Sequence, residues 1–150
     1  MLPEFDSKVL ESLHYRFYQD IMSIPKLCSG VLSDQQTQTL YSWIDTISLS
    51  RPKRNIGRDF SDGVLLAEVV ASVHPAIVEL HNYTSASSFT QKMYNWDTLN
   101  FKVFKKLGLQ FHQQDLEDCC NVCSRIIHSF LYFSSFRVRL RKFCIAFINS

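Results

Sequence analysis

The sequence has no long hydrophobic run and few residues that make tight turns. Its 150 residues include only four glycines and four prolines. The longest apolar run near its end, residues 143–148, is far shorter than the ~20 residues of a membrane-spanning helix. Residues 1–6 are acidic and polar, whereas a secretory signal begins basic and continues apolar. These absences predict a cytosolic protein without a membrane span.

Motifs of known catalytic chemistry are also missing. The sequence contains no glycine-rich phosphate loop, no nucleophile elbow and no helical His pair around a Glu. Its five cysteines are an odd number in a chain without a secretory signal, which predicts reduced thiols rather than a disulfide framework. We therefore expect a protein that is not an enzyme and that uses no cofactor.

One group of residues suggests a metal site. Cys119 and Cys123 are one helical turn apart, and His112 and His128 are nearby, so zinc is conceivable. Structural zinc sites, however, usually take cysteines from turns with a C-x₂-C spacing. These cysteines lie where a buried helix face is expected, and buried free cysteine is common. Core packing is the favoured interpretation, with a thiol or zinc enzyme as the alternative.

The composition is that of a folded domain. The hydrophobic fraction is 46%, the charged fraction 20% and the aromatic fraction 13%, which excludes a disordered chain. At this length roughly two-thirds of the unfolded surface can be buried. We predict a domain over residues 31–135, preceded by an N-terminal extension at 1–30 that suits an amphipathic helix, and followed by a basic and apolar tail at 136–150.

Hydrophobic periodicity predicts the first two helices of this domain. Ser33 and Gln36 have the form of a capping box, and apolar residues then mark one face of a helix at about 34–47, with Trp43 as a core anchor. Residues 65–73 form a broad apolar face that is typical of a buried helix. Asp59 or Ser61 can cap that helix, and Gly63 suits a point where backbones pack closely.

Two further helices complete an all-α domain. Residues 89–107 carry apolar side chains at steps of three or four, and Gly108 is placed to end that helix, which Asn95 and Asp97 could split. Another helix begins near Asp115 and buries Leu116 and one or both of Cys119 and Cys120. Residues 136–141 alternate like a strand, but no second strand is available to pair with them. An all-α, bundle-like fold is therefore predicted.

The positive charge is segregated along the chain. The net charge is only +2, yet residues 51–58 contain four cations and no anion. A second group, the lysine cluster, consists of Lys102, Lys105 and Lys106. Such patches attract an acidic partner, which could be an acidic protein surface, nucleic acid or anionic lipid.

We predict that three cations of the first group contact a partner. These loop cations are Arg51, Lys53 and Arg54. Pro52 stiffens the loop and so lowers the entropy lost on binding, whereas Arg58 is expected to pair internally with Asp59. A solvated helix face explains the lysine cluster as well as a partner contact does, since lysines also complement a helix C-terminus.

Short strings in this region resemble the calponin-homology domain of the sperm flagellar protein/CLAMP family. They occur in the same order as in that domain, and the resemblance covers residues 33–131. In one-letter code they are WID, SRPKRN, RDFSDGVL and AEV within residues 43–69, then HNY, QK, NW, LN and KV within residues 81–103.

The resemblance implies a calponin-homology fold that binds microtubules in cilia and flagella, particularly in the central apparatus of the axoneme, and that bundles or stabilises them. The loop cations, and less closely the lysine cluster, become candidate contacts with tubulin, whose surface is acidic. Other axonemal proteins are further candidate partners, and no nucleic acid is predicted. Because the fold alone does not decide the filament, an actin-binding or signalling calponin-homology module is the alternative.

The chain also departs from the family pattern. Ser124-Arg125 stands where family members tend to have Pro-Gly. Family members continue into a long coiled coil that supports self-association, and residues 136–150 show no such pattern. Self-association is therefore left open.

Overall fold

The fold consists of helices joined by loops within the residues that the computed structural model describes, which are 32–122, 127, 128, 131 and 132. Residues 32–122 contain five α-helices: α1 Asp34–Asp45, α2 Ile56–Asp59, α3 Val64–Val73, α4 Phe89–Thr98 and α5 Gln113–Cys120. Short 3-10 helices occupy Pro75–Ile77, Leu80–Asn82 and Lys105–Leu107, and a π-helix, Leu99–Phe104, continues α4. The described residues contain no strand, which confirms the predicted all-α class.

Helix α1 begins as the capping box predicts. The Ser33 backbone N–H donates to Gln36 Oε1 at 2.9 Å, and the Gln36 N–H donates to Ser33 Oγ at 3.2 Å. Leu40 and Ile44 are buried, but Trp43 is only half-buried, so it is not the core anchor that the periodicity suggested. The apolar face of α1 is thus narrower than predicted.

Helix α3 is the most buried element. Leu65 and Val70 are fully buried. The residue that precedes the helix is Gly63, whose φ is +77°. A Cβ at Gly63 would lie 3.1 Å from Leu99 Cδ1, so the close approach at Gly63 comes from a side chain, whereas close packing of backbones was predicted there. The predicted cap was wrong: Asp62 Oδ1, rather than Asp59 or Ser61, accepts the Val64 N–H at 3.1 Å.

Helix α4 is tied to the segment that precedes α3. Trp96 is fully buried, and its Nε1 donates to the Ser61 carbonyl at 2.8 Å. Asn95 is also buried and donates to the Asp62 and Thr84 carbonyls, each at 2.8 Å. Asn95 therefore anchors the helix instead of splitting it, and the predicted break at this point was wrong.

The last described part of the chain agrees with the predicted apolar face. Gly108, with φ +71°, ends the helical run before α5, as predicted. Asp115, near which this helix was predicted to begin, lies inside α5, and its Oδ2 accepts the His112 N–H at 3.3 Å. Helix α5 starts two residues earlier, at Gln113. The buried residues of α5 and of the described positions after it are Leu116, Cys119, Cys120, Ile127 and Leu131. The predicted extension at 1–30 and tail at 136–150 lie outside the described residues.

Candidate functional site

The loop cations lie between α1 and α2, and the structure separates them into inward and outward members. Arg51 turns inward. Its Nη2 donates to both carboxylate oxygens of Asp62, at 2.7 and 2.9 Å, and to the Asp59 carbonyl at 3.0 Å. Its Nη1 donates to Ser85 Oγ at 3.1 Å. The charge of Arg51 is therefore neutralised within the domain.

Asp62 is the centre of this inward arrangement. Its side chain is only 4% exposed, and besides Arg51 it accepts the N–H groups of Val64 and Ala86, at 3.1 and 3.3 Å. Ser85 Oγ donates to it at 3.4 Å. Burying a carboxylate is costly unless it is paired and hydrogen-bonded. These contacts satisfy it and join the basic loop, the start of α3 and the loop before α4.

The outward member is Arg54, whereas the Lys53 side chain is only 20% exposed. Lys53 forms an ion pair with Asp45 at the end of α1, and the Asp45 side chain is 64% exposed, so this pair contributes little net stability. Arg54 is exposed, and its side chain makes no ion pair with any residue among 32–122, 127, 128, 131 and 132. Its cation is available to a partner.

Asp59 holds the backbone beneath these cations. Its Oδ2 accepts the N–H groups of Arg54 and Asn55, each at 2.7 Å, and its Oδ1 lies 3.3 Å from Arg58 Nε, which confirms the predicted internal pair. Burial alone would raise the pKa of Asp59, but the hydrogen bonds from Asn55 and Arg54 and the charge of Arg58 outweigh it and lower the pKa below its ordinary value.

An open cleft of about 560 Å³ lies between α1 and the loop, and Lys53 and Arg54 line it. On its other side Tyr41 Oη lies 2.5 Å from His128 Nε2. Tyr41 and His128 are 87 positions apart in the chain, so no spacing could have pointed to them. The loop therefore borders a concave, polar surface.

The lysine cluster has different surroundings. Lys102 Nζ lies 4.0 Å from Glu79 Oε2, with both side chains more than half exposed. Lys105 Nζ lies 5.3 Å from the centroid of the Phe101 ring, and that ring is itself exposed. Lys106 is also exposed. Sequence periodicity did not single out Phe101, which is a candidate contact residue.

Of the two cysteines in the zinc alternative, Cys119 belongs to the core, whereas Cys123 lies outside the described residues. Cys119 and Cys120 are buried, and Cys120 Sγ donates to Met93 Sδ at 3.3 Å. Burial raises the pKa of the Cys120 thiol to about 11, so the metal-binding thiolate is disfavoured. The described residues contain no group of three potential metal ligands. Nor is any helix among them long and apolar enough to cross a membrane.

Comparison with known proteins agrees with this geometry. The chain is 63% identical over 76 residues to sperm flagellar protein 1 of Xenopus laevis, which is 50% of this chain and 33% of that protein. It is 53% identical over 80 residues to the Bos taurus protein of that name, 53% of this chain and 34% of the relative. The matched part thus spans about a third of these relatives.

The chain also matches a protein family, over more residues than it shares with either of these two relatives. The family is described as "CH-like domain in sperm protein", and residues 40–134 match it. This range includes the loop cations, the lysine cluster and all of α2–α5. The chain therefore belongs to the family of CH-like domains of sperm proteins, which confirms the resemblance seen in its sequence.

Proposed function

We propose that this chain is a microtubule-binding module of the cytoskeleton of cilia and flagella, placed in the central apparatus of the axoneme, where it stabilises or bundles microtubules. The observation that carries the proposal is the exposed Arg54 beside Lys53 on a loop whose backbone is held by Asp59. The flagellar names of its relatives support the setting.

Binding by this surface is electrostatic and needs no chemical step. The outer surface of tubulin is acidic, so exposed cations raise its local concentration and orient the encounter. The loop is held in shape before binding, because Asp59 accepts two of its backbone N–H groups. A pre-organised loop loses less entropy when its cations engage a partner.

Within this surface the three loop cations have different parts. Lys53 and Arg54 are proposed as direct contacts. Arg51 was predicted to contact a partner, but its contacts with Asp62 and Ser85 support a structural role that shapes the loop. The lysine cluster is a second proposed contact region.

Co-sedimentation with microtubules and, in parallel, with actin filaments tests the proposal at low and moderate salt. We expect binding to microtubules alone, weakened by salt because exposed charges are screened. The double variant K53Q/R54Q should bind about tenfold more weakly, since two rim charges together contribute on the order of 1.4 kcal/mol.

The matched control is K53R/R54K, which keeps both charges and should retain binding. Sedimentation of the unchanged chain with actin filaments alone would favour the alternative, an actin-binding module. Equal microtubule binding by K53Q/R54Q and the unchanged chain would remove these two residues from the contact surface.

A further inference from the structure

An exposed aromatic pair lies on α4 and the π-helix that follows it. Among the described residues, Phe101 is the most exposed large hydrophobic side chain at 72%, followed by Tyr94 at 58%. Tyr94 precedes Phe101 by seven positions, about two helical turns, so both lie on one side of the helix. Single exposed apolar residues are common, but aromatic side chains are enriched at interaction sites.

The backbone holds Phe101 in this position. Between Leu99 and Phe104 the helix widens to a π-helix, in which the consecutive residues Val103 and Phe104 are both fully buried. Asn100 clamps the widened turn, because its side chain donates to the Phe111 carbonyl at 3.0 Å and accepts the Phe111 N–H at 3.1 Å. Widened turns of this kind occur frequently at functional sites. Phe101 is therefore presented from a fixed turn.

Two lysines accompany the aromatic pair. The Lys105 ammonium lies 5.3 Å from the centroid of the Phe101 ring, within the range of a cation–π contact. Lys102 is the next residue after Phe101 and is half-exposed. We name the set of Tyr94, Phe101, Lys102 and Lys105 the aromatic ridge. An aromatic anchor surrounded by a polar rim is a common arrangement at binding interfaces.

The charges indicate what covers the aromatic ridge. A two-fold contact between copies of the chain would bring the lysines of both copies into one interface, which is unfavourable. An anionic membrane would meet Asp97, exposed between the two aromatics, and Glu79 beside Lys102, and both would be repelled. An acidic protein surface with an apolar depression can match the lysines and the Phe101 ring while avoiding these two anions.

We propose that the aromatic ridge is a second docking surface for the microtubule, in which Phe101 enters an apolar depression in the acidic polymer surface and the lysines bind carboxylates around it. This inference rests on the function proposed above. It adds an apolar contact to the electrostatic one, and apolar contacts are not screened by salt.

Phe101→Ala tests the inference by co-sedimentation with microtubules across a range of salt concentrations. Loss of an aromatic hot spot typically weakens binding about thirtyfold, and we expect this factor to persist at moderate salt. The defect of K53Q/R54Q should instead shrink as salt rises. Phe89→Ala is the matched control, because Phe89 is 48% exposed in the first turn of α4 but is not in the aromatic ridge.

The outcomes separate the inference from the function. If the unchanged chain binds microtubules and F101A binds equally well at every salt concentration, the inference alone is wrong. If the unchanged chain does not sediment with microtubules, the proposed function is wrong and the inference fails with it. F101A should keep the thermal midpoint of the unchanged chain, which shows that weaker binding is not unfolding.

Two further measurements test the excluded occupants. Sedimentation with phosphatidylserine–phosphatidylcholine vesicles that depends on Phe101 would assign the ridge to a membrane and overturn the proposal. A dimer in analytical ultracentrifugation that F101A abolishes would assign it to a second copy, with the same result. We expect neither.

Discussion

Arg51 and Arg54 stand three positions apart in one loop, yet their side chains have opposite surroundings. Arg51 contacts a carboxylate that is 4% exposed, whereas the Arg54 side chain makes no ion pair with any described residue. The difference shows that a run of cations is not one functional unit. The difference arises because the buried side chain of Asp62 binds Arg51 and does not bind Arg54.

The two arginines should therefore affect different measurements. A cation paired with a buried carboxylate contributes to folding, because its loss leaves the carboxylate without compensation. An exposed cation contributes to the association rate and the salt dependence of binding. Stability and microtubule affinity, measured on the same variants, can separate the two roles.

The largest expected effect comes from Asp62→Ala. The change removes the charged partner of Arg51 and leaves the N–H groups of Val64 and Ala86 without the acceptor that Asp62 supplied. We expect the free energy of unfolding to fall by about 3 kcal/mol, the lower end of the range for a broken buried pair because Arg51 is partly exposed. Chemical denaturation measures this. Ser85→Ala, the control, should cost about 1 kcal/mol or less.

A loss below about 1 kcal/mol for Asp62→Ala would contradict the comparison, because it would mean that the inward contacts are worth no more than a surface pair.

An intermediate effect is expected from exchanging Arg51 and Arg54 for glutamine one at a time. Arg51→Gln should lower the free energy of unfolding by about 2 kcal/mol, since it removes the cation from Asp62 but leaves its backbone donors. Arg54→Gln should change stability by less than about 0.5 kcal/mol and weaken microtubule binding about threefold.

Binding of Arg51→Gln is then measured at a temperature where the variant is fully folded. Affinity close to that of the unchanged chain assigns Arg51 to the support of the loop. A loss as large as that of Arg54→Gln would reinstate it as a direct contact and break the comparison.

The smallest effect concerns Asp59, whose lowered pKa makes the loop sensitive to acid. A carboxylate with a lowered pKa in the folded state adds stability that is fully present above the unfolded value of about 4 and is lost as the pH falls through the folded value. Asp59→Asn should cost about 1 kcal/mol at neutral pH. Its stability should also fall less steeply below pH ~4.

Acid titrations of unfolding, followed by circular dichroism, compare the two proteins. Asp118→Asn is a matched control in α5 for the loss of one negative charge. Equal acid sensitivity of the unchanged chain and Asp59→Asn would mean that Asp59 does not hold the loop.

Much of the local structure could be predicted because its causes lie within a few residues. The capping pair of Ser33 and Gln36 is three positions apart, and Gly108 ends a helix through its own backbone preference. The buried face with Leu116 follows from helical spacing. Each of these features is a short-range effect that the tertiary fold keeps.

The candidate site was harder to predict because its partners are distant in the chain. Arg51 lies 11 positions from Asp62 and 34 from Ser85, and adjacency suggested an internal pair only for Arg58. The π-helix that presents Phe101 depends on a clamp between Asn100 and Phe111, 11 positions apart. Regular helical periodicity over 89–107 does not indicate such a change of pitch.

The sequence by itself determined that this protein is an all-α domain with segregated basic clusters, because helix periodicity, caps and charge runs are local properties. Its membership of the CH-like family was indicated separately, by the resemblance of its short strings to that family. Only the tertiary structure decided which cation turns to a buried carboxylate, which remains exposed and which aromatic side chain is left outside the core. Those outcomes depend on how distant segments meet. They follow from the need to satisfy the buried Asp62 and to bury Val103 and Phe104 together, which no stretch of chain can do alone.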